Sequence, residues 1–337
     1  MAPIADPITA TFREYFAVAP TFFTKVHAFW QWVNLACGAA LANGKRPLLV
    51  NLDETSISRA IVGGKGHVVT SKTFGHDADQ QEAFYRIPAS QRRGAVTHVA
   101  LISAVPEMQR HLPQIFLAAS ARFSERLANS VGALDSNCQF WRESSGWNSS
   151  ERMLRILDEL ATSVGVVGAH WQIILVLDMA SCHLTDEVAH KAAALGVWLV
   201  FVPTHLTWLI QPLDVSVFGT YKTRLCQAYH QLQARNPGGL VSDQDWAFTL
   251  VQTTLAYIER RDWSRAFHRV GVDGRQSHLA DSLVRAMQPC SPEEVRNVAR
   301  APPNVEALLS LFPRGRRHPL VEYLRPVVAS LLAAQNA

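Results

Sequence analysis

The fold is decided by residues 172–202, which read QIILVLDMASCHLTDEVAHKAAALGVWLVFV. An apolar strand at 172–177 is followed by an amphipathic helix at 186–195 and by a second apolar strand at 197–202. Gly196 is placed to end the helix. Because so few residues connect the strands, the pattern predicts a parallel pair with a right-handed helical crossover.

Similar periodicities extend this unit along the chain in both directions. Apolar spacing predicts helices at 21–42, at 213–233 and at 243–260, and a further helix after a capping box of Asn148 and Glu151. It also predicts strands at 48–53 and 95–104, and a hairpin of Ile57–Val62 with His67–Thr70. The sequence therefore predicts an α/β fold, in which helices cover both faces of a mixed sheet. We expect an N-terminal helical arm at 1–46, a central domain at 47–240 and a helical extension at 241–337.

Composition sets broad limits on the class of protein. The chain has 337 residues, of which 48% are hydrophobic and 18% charged, enough for one large domain or two modest ones. A net charge of +4 and a pI near 8.9 are only weak evidence for a polyanionic partner, because many ordinary enzymes share them. Three basic clusters could equally be solvated turns: Arg92-Arg93, Arg260-Arg261 and Arg314-Gly315-Arg316-Arg317-His318.

Several classes of site and location are disfavoured. The 5 cysteines are scattered without a Cys-x-x-Cys pair, which argues against a disulfide framework and structural zinc and favours a reducing compartment. The first ten residues lack the pattern of a signal peptide, so we do not expect secretion, and no apolar window is long enough for a membrane span. Phosphate-binding loops, nucleophile elbows and His-Glu-x-x-His motifs are absent from the sequence.

Three aspartates carry most of the functional information. Asp53 and Asp178 each follow an apolar, β-branched-rich run, and Asp214 opens a predicted helix. Each has an ordinary explanation when taken alone, as a turn residue, a cap or a partner of a helix dipole. Open α/β sheets bind ligands beyond the carboxyl ends of their strands, so we expect the three carboxylates to meet there.

Three carboxylates at one place repel each other strongly. Two unit charges about 4 Å apart cost about 4 kcal/mol at an effective dielectric constant of 20. Without a cation, one of the acids should keep its proton. Two Mg²⁺ or Mn²⁺ ions would make the site favourable, and such a pair serves in-line phosphoryl transfer. The residues thus indicate metal-dependent phosphoryl transfer with Asp53, Asp178 and Asp214 as metal ligands.

The surrounding motifs resemble a known family. Residues 203–222, PTHLTWLIQPLDVSVFGTYK, are similar to the region of the third acidic residue in pogo/Tigger/jerky-type transposases of the mariner superfamily of DDE/DDD enzymes. Residues 51–55, NLDET, and 177–183, LDMASCH, resemble the first and second acidic motifs. The resemblance covers about residues 48–271, including Gly146-Trp147, Trp263, Phe267 and Gly271.

The resemblance implies an RNase H-like catalytic domain that cuts DNA and transfers strands. The three aspartates would bind two metal ions to activate water, and then a freed 3′-hydroxyl. DNA is the implied partner and the nucleus the implied location, a homodimer is compatible, and neither a membrane nor a small-molecule cofactor is expected. His183, Gln211 and Lys222 are candidates for contacts to DNA or for support of the aspartates, and each has an ordinary structural reading as well.

Two departures from the family pattern keep alternatives open. Met179 stands where relatives often carry Asn, which bears on the support of Asp178. Relatives carry helix-turn-helix domains upstream, whereas 52 residues precede Asp53 here, so we expect a catalytic fragment, a decayed copy or a domesticated domain. The rival functions are a non-catalytic nucleic-acid-binding protein derived from a transposase and a metal phosphohydrolase of small substrates. Retention of all three acids favours the nuclease.

Overall fold

A six-stranded mixed sheet forms the centre of the protein. The computed structural model describes residues 19–57, 68–69, 84–85, 96–120, 123–132, 134–135, 137–143, 148–236, 241–272 and 279–286. The strands are β1 (Arg46–Ile57), β2 (Val68–Val69), β3 (Phe84–Tyr85), β4 (Val96–Ser103), β5 (Gln114–Ala119), β6 (Cys138–Glu143), β7 (Trp171–Leu177) and β8 (Trp198–Phe201). The main sheet has the order β6-β5-β4-β1-β7-β8, and β2 pairs with β3 separately.

β1 is the strand that joins the two halves of this sheet. Its first half pairs in parallel with β7, from Arg46↔Trp171 to Asn51↔Val176. Its second half runs antiparallel to β4, and β5 runs antiparallel to β4 in turn. The outer pairs, β5–β6 and β7–β8, are parallel. This mixed sheet with its flanking helices is an α/β arrangement of the RNase H-like type, as the resemblance implied.

Helices occupy most of the remaining described chain. They are α1 (Ala19–Ala42), α2 (Pro106–Gln109), α3 (Glu125–Gly132), α4 (Ser150–Val167), α5 (Asp186–Ala194), α6 (Thr207–Ile210), α7 (Pro212–Ser216), α8 (Phe218–Arg235), α9 (Asp243–Thr254), α10 (Ser264–Arg269) and α11 (Asp281–Ala286). A π-helical turn, Leu255–Glu259, extends α9. No helix in the described ranges is long and apolar enough to cross a membrane.

Burial explains the hydrophobic patterns of these segments. Every residue of β4 and β7 is buried, so both strands are mostly apolar in sequence and lack the alternating pattern of a strand with one exposed face. Helix α1 packs on β1, β7 and β8. Its Trp30 is buried and donates its indole N–H to the carbonyl of Val270 over 2.9 Å, which ties the first helix to the helical region beyond residue 241.

The predicted strands at 48–53, 95–104, 172–177 and 197–202 are confirmed, as is the parallel β7–β8 pair. Strands β5 and β6 and helix α3 were not predicted. β5 has six residues, is buried along almost its whole length and lacks alternation, so periodicity alone does not identify it. The predicted hairpin lies largely outside the described residues, and Gly146-Trp147 lies wholly outside them.

Two helix boundaries were predicted wrongly. The helix at 213–233 is two helices, α7 and α8, that meet at Val217, where the backbone departs from helical geometry with φ −114°. Ser149, and not Asn148, caps α4, because its side-chain oxygen accepts the backbone N–H of Arg152. Helix α9 begins after Ser242, whose side-chain oxygen accepts the backbone N–H of Asp245.

Candidate active site

Asp53 and Asp178 lie side by side because β1 and β7 are parallel neighbours. Their ladder ends at Asn51↔Val176, and each aspartate follows two residues later. β1 does not end at Asp53, as the sequence suggested, but continues to Ile57 with β4 as its partner there. Asp53 is consequently 8% exposed, inside a strand and just past the end of the β1–β7 ladder.

Asn51 brings the third aspartate to this place. Its buried side-chain amide donates to the carbonyl of Val176 over 2.9 Å, and its Oδ1 accepts the backbone N–H of Leu213 over 2.9 Å. One side chain therefore connects β1, β7 and the first turn of α7, which carries Asp214. Pro212 at the start of α7 has no N–H to satisfy, which leaves the N–H of Leu213 as the one that Asn51 pairs.

Asp53 and Asp214 are both acids whose ionisation the fold disfavours. Burial raises the pKa of Asp53 well above its ordinary value, and the charges of Asp214, Glu54 and Asp178 raise it further. Loss of hydration also raises the pKa of Asp214, against a hydrogen bond from Thr207 that lowers it. The three aspartates are thus near enough to affect each other's protonation, as expected for acids gathered without a cation.

A chain of hydrogen bonds holds Asp178 from the other side. Nδ1 of His183 lies 2.7 Å from Oδ1 of Asp178, and Nε2 lies 3.1 Å from Oε1 of Glu54. Asn148 donates its side-chain amide to the same oxygen of Glu54. Burial acts to raise the pKa of Asp178, but the hydrogen bond and charge of His183 and the N–H of Ala180 bring it below its ordinary value. Asp178 is therefore held as a carboxylate.

The same contacts define the role of His183. Burial acts to lower its pKa, yet the hydrogen bonds to Asp178, Cys182 and Glu54 raise it well above the ordinary value. The side chain is fully buried and both ring nitrogens are engaged. In this arrangement His183 positions Asp178, and it has no exposed atom to offer to a phosphate.

The two other sequence candidates, Lys222 and Gln211, lie in different environments. Lys222, half-buried on α8, lies close enough that its charge lowers the pKa of Asp214. Gln211, directly before α7, is fully buried, and its amide makes no hydrogen bond among the described residues. Trp208 is 38% exposed, and its indole N–H donates to the carbonyl of His205, a residue with a left-handed φ of 66°.

The donor set fits a divalent cation by its chemistry. Among the residues that the structure describes, no group of three His, Cys, Asp or Glu side chains has the geometry of a finished metal site. Burial and the charges of Asp214, Glu54 and Asp178 nevertheless raise the pKa of Asp53, and a bound cation would offset the repulsion among these acids. Carboxylate oxygens are the hard ligands that Mg²⁺ and Mn²⁺ prefer.

Sequence reasoning did not find the roles of Asn51, Glu54 and Asn148. Asn51 stands in an apolar strand run, and a buried polar side chain must find partners, which was the available signal. Glu54 follows Asp53 directly on β1, and its carboxylate accepts from His183 and Asn148. These partners are far away in sequence, so only the fold identifies them.

Comparison with known proteins gives one match. Residues 99–259 match the family model of the DDE superfamily endonucleases. The matched segment runs from β4 to the end of the π-helical turn, so it contains Asp178 and Asp214, whereas Asp53 precedes it. No curated protein and no solved structure gives a significant match.

Proposed function

We propose that this chain, whose residues 99–259 match the family model of the DDE superfamily endonucleases, is a metal-dependent DNA endonuclease and strand transferase of transposase type. Asp53, Asp178 and Asp214 are its catalytic residues and its metal ligands. Duplex DNA is the substrate, two Mg²⁺ or Mn²⁺ ions are the cofactors, and the nucleus is the proposed location.

The observation that carries this proposal is the electrostatic coupling of the three aspartates. The charges of both Asp214 and Asp178 raise the pKa of Asp53, although the three residues are far apart in the sequence. Burying acids together is unfavourable for the fold, because it opposes their ionisation. Such an arrangement is explained by a function that needs several carboxylates at one point, and a phosphoryl-transfer site with two metal ions is one.

Each residue has a distinct task in this proposal. Two bound divalent ions would activate the attacking oxygen and stabilise the leaving oxygen of an in-line displacement. Asp53 and Asp214 would hold metal through their carboxylate oxygens, and burial raises the pKa of both groups. Asp178 is kept ionised and oriented by His183, which Glu54 orients in turn. Lys222 lies beside Asp214 and is suited to a phosphate of the DNA backbone.

The fold suggests how these tasks are divided along the chain. We propose that residues 47–240 form the catalytic domain, with residues 1–46 as a helical arm and residues 241–337 as a helical extension packed on it. Contact between α1 and the strands β1, β7 and β8, and the Trp30–Val270 hydrogen bond, support packing of both flanking parts against the sheet. A homodimer is compatible with this arrangement.

A nicking assay with one substitution tests the proposal. Purified protein is incubated with supercoiled duplex DNA and Mg²⁺ or Mn²⁺, with and without chelator. We expect nicking by the wild-type chain, no nicking after chelation and none by Asp178→Asn, whose thermal unfolding stays unchanged. Asp186→Asn is the matched control, because it makes the same chemical change at an exposed position on α5. Undiminished nicking by Asp178→Asn refutes the assignment.

The main alternative is a domesticated or decayed transposase that binds nucleic acid without cutting it. The presence of all three acids favours the enzyme over this alternative. The same preparation distinguishes them: salt-dependent DNA binding without metal-dependent nicking supports the alternative. Hydrolysis of small phosphate esters without any DNA binding supports the phosphohydrolase.

A further inference from the structure

Two arginines outside the acidic site share one aromatic ring. The guanidinium carbon of Arg224, on α8, lies 5.0 Å from the ring centre of Tyr257, and that of Arg261 lies 4.6 Å from the same centre. Both arginines are exposed, whereas Tyr257 is only 3% exposed. Two positive charges are thus held close together at the surface by a buried ring.

The ring is fixed in its position. Tyr257 stacks on the buried Tyr221 with an interplanar angle of 6°, and Trp263 meets its ring edge-on with centroids 5.4 Å apart. The hydroxyl of Tyr221 is hydrogen-bonded to that of Thr254 over 2.6 Å. Tyr257 itself lies in the π-helical turn Leu255–Glu259, a widened turn of a kind found frequently at functional sites.

The two charges have no acidic partner within the described part of the chain. The ion pairs there involve other basic residues, and neither Arg224 nor Arg261 takes part in one. The nearby Asp262 accepts the backbone N–H of Ser264, and Glu259 is buried. Like charges repel, so placing two guanidinium groups on one ring is unfavourable unless an anion joins them.

We propose that Arg224 and Arg261, mounted on Tyr257, form a binding site for the phosphodiester backbone of duplex DNA. The guanidinium group is planar and donates two parallel hydrogen bonds to phosphate oxygens, and stacking on an aromatic ring fixes its plane. Helix α8 begins four residues after Asp214, and Arg224 lies in its second turn. The site therefore holds DNA that flanks the point of cleavage. The choice of DNA as the ligand of this site rests on the proposed function.

The test measures DNA binding without divalent metal, so that catalysis does not enter the result. Fluorescence anisotropy of a labelled 30-base-pair duplex is titrated with the full chain at several NaCl concentrations. For Arg224→Ala/Arg261→Ala we expect weaker binding and a slope of log K against log salt that is less steep by about 1.8, or about 0.9 for each phosphate contact. Arg224→Lys/Arg261→Lys keeps the charges, so it should keep most of the slope.

Arg46→Ala is the matched control. Arg46 is also exposed and lies 4.3 Å from the ring centre of Trp171, but it is the first residue of β1, before Asp53 on that strand, and it pairs with Glu107. The Arg46→Ala variant should bind DNA with the wild-type affinity and the wild-type salt dependence. If the double alanine variant does not fold, Arg224→Gln and Arg261→Gln are tested singly, and each should reduce the slope by about 0.9.

Two results overturn the inference. The first is an unchanged affinity and slope for folded Arg224 and Arg261 variants. The second is an unchanged DNA affinity together with loss of binding to a polyglutamate peptide, which assigns the site to an acidic protein. If the wild-type chain nicks DNA in either case, the proposed function stands and only this site is refuted. If the slopes change but nothing nicks, the phosphate site stands and the nuclease is refuted.

Discussion

Oδ1 of Asn51 accepts the backbone N–H of Leu213 over 2.9 Å, and through this contact the middle of β1 determines where α7 begins. The side-chain N–H of Asn51 is engaged with Val176 on β7. Asp53, Asp178 and Asp214 each lie one or two residues from an atom of this three-way junction. The position of the candidate active site is therefore set by one buried amide.

Replacing Asn51 with alanine should affect both stability and nicking. It leaves the carbonyl of Val176 and the N–H of Leu213 without their partner, at about 1–3 kcal/mol for each buried group. Urea unfolding measures the first effect and the nicking assay the second. Gln172→Ala is the control, because Gln172 is a buried amide on β7 that bonds the carbonyl of Gly196. Equal nicking by both variants would contradict the role of Asn51.

The carboxylate of Glu54 should matter through His183 rather than through DNA. Glu54→Ala removes the acceptor of the His183 Nε2–H, so Asp178 is less firmly oriented, and nicking should fall by about 10–100-fold with a higher metal requirement. Glu54→Gln retains an acceptor oxygen and should keep more of the activity. Nicking rates over a range of Mn²⁺ concentrations test this. Identical metal dependence in the alanine variant and the wild type would exclude the role.

Acid should destabilise the fold through His98. This fully buried side chain stacks on Phe116 with centroids 4.4 Å apart, and burial lowers its pKa from 6.5 to about 3. Between these pH values the unfolded chain binds a proton that the folded chain does not, so stability falls as pH falls from 6.5, by at most about 1.4 kcal/mol per pH unit.

His98→Leu removes this group, and its unfolding free energy should depend less steeply on pH between 5 and about 6.5, a window above most carboxyl titrations. Urea unfolding at a series of pH values measures both slopes. Because the variant also leaves Gln114 without its 3.1 Å partner, its stability at neutral pH should be lower. Parallel curves for wild type and variant would show that His98 does not cause the loss.

Alanine substitutions at Gly271 and Gly44 distinguish two destabilising effects, backbone strain and steric overlap with a neighbouring side chain. Both have a left-handed φ, 72° and 70°, so alanine is strained at either position, by about 1–2 kcal/mol. At Gly44 an added Cβ meets nothing within 4 Å, whereas at Gly271 it would lie 2.8 Å from the ring of Trp30. Trp30 is buried and hydrogen-bonded to Val270, so it yields with difficulty. Thermal unfolding should show a larger loss for Gly271→Ala, and equal losses would mean that Trp30 moves freely.

The predictability of the site differs from residue to residue. The position of Asp178 at the end of a strand could be predicted from the sequence, because an apolar run of strand length precedes it and a capped helix follows. Asp53 was placed in a strand, yet its position inside β1 could not be seen, because the end of a strand depends on the partner that continues to pair with it, here β4. Glu54 is linked to Asp178 through His183, which lies 129 positions after Glu54, and local sequence patterns do not show a contact over that separation.

The sequence by itself determined the β7–α5–β8 unit and the α/β class, and it supplied the three candidate acids, since hydrophobic period, capping and composition act over a few neighbouring residues. The tertiary structure alone decided that β1 lies between β4 and β7, that Asn51 brings α7 to the sheet, and that Arg224 meets Arg261 on one ring. The physical reason is that strand order and side-chain partners minimise the free energy of the whole packed core, in which residues distant in the chain contribute equally.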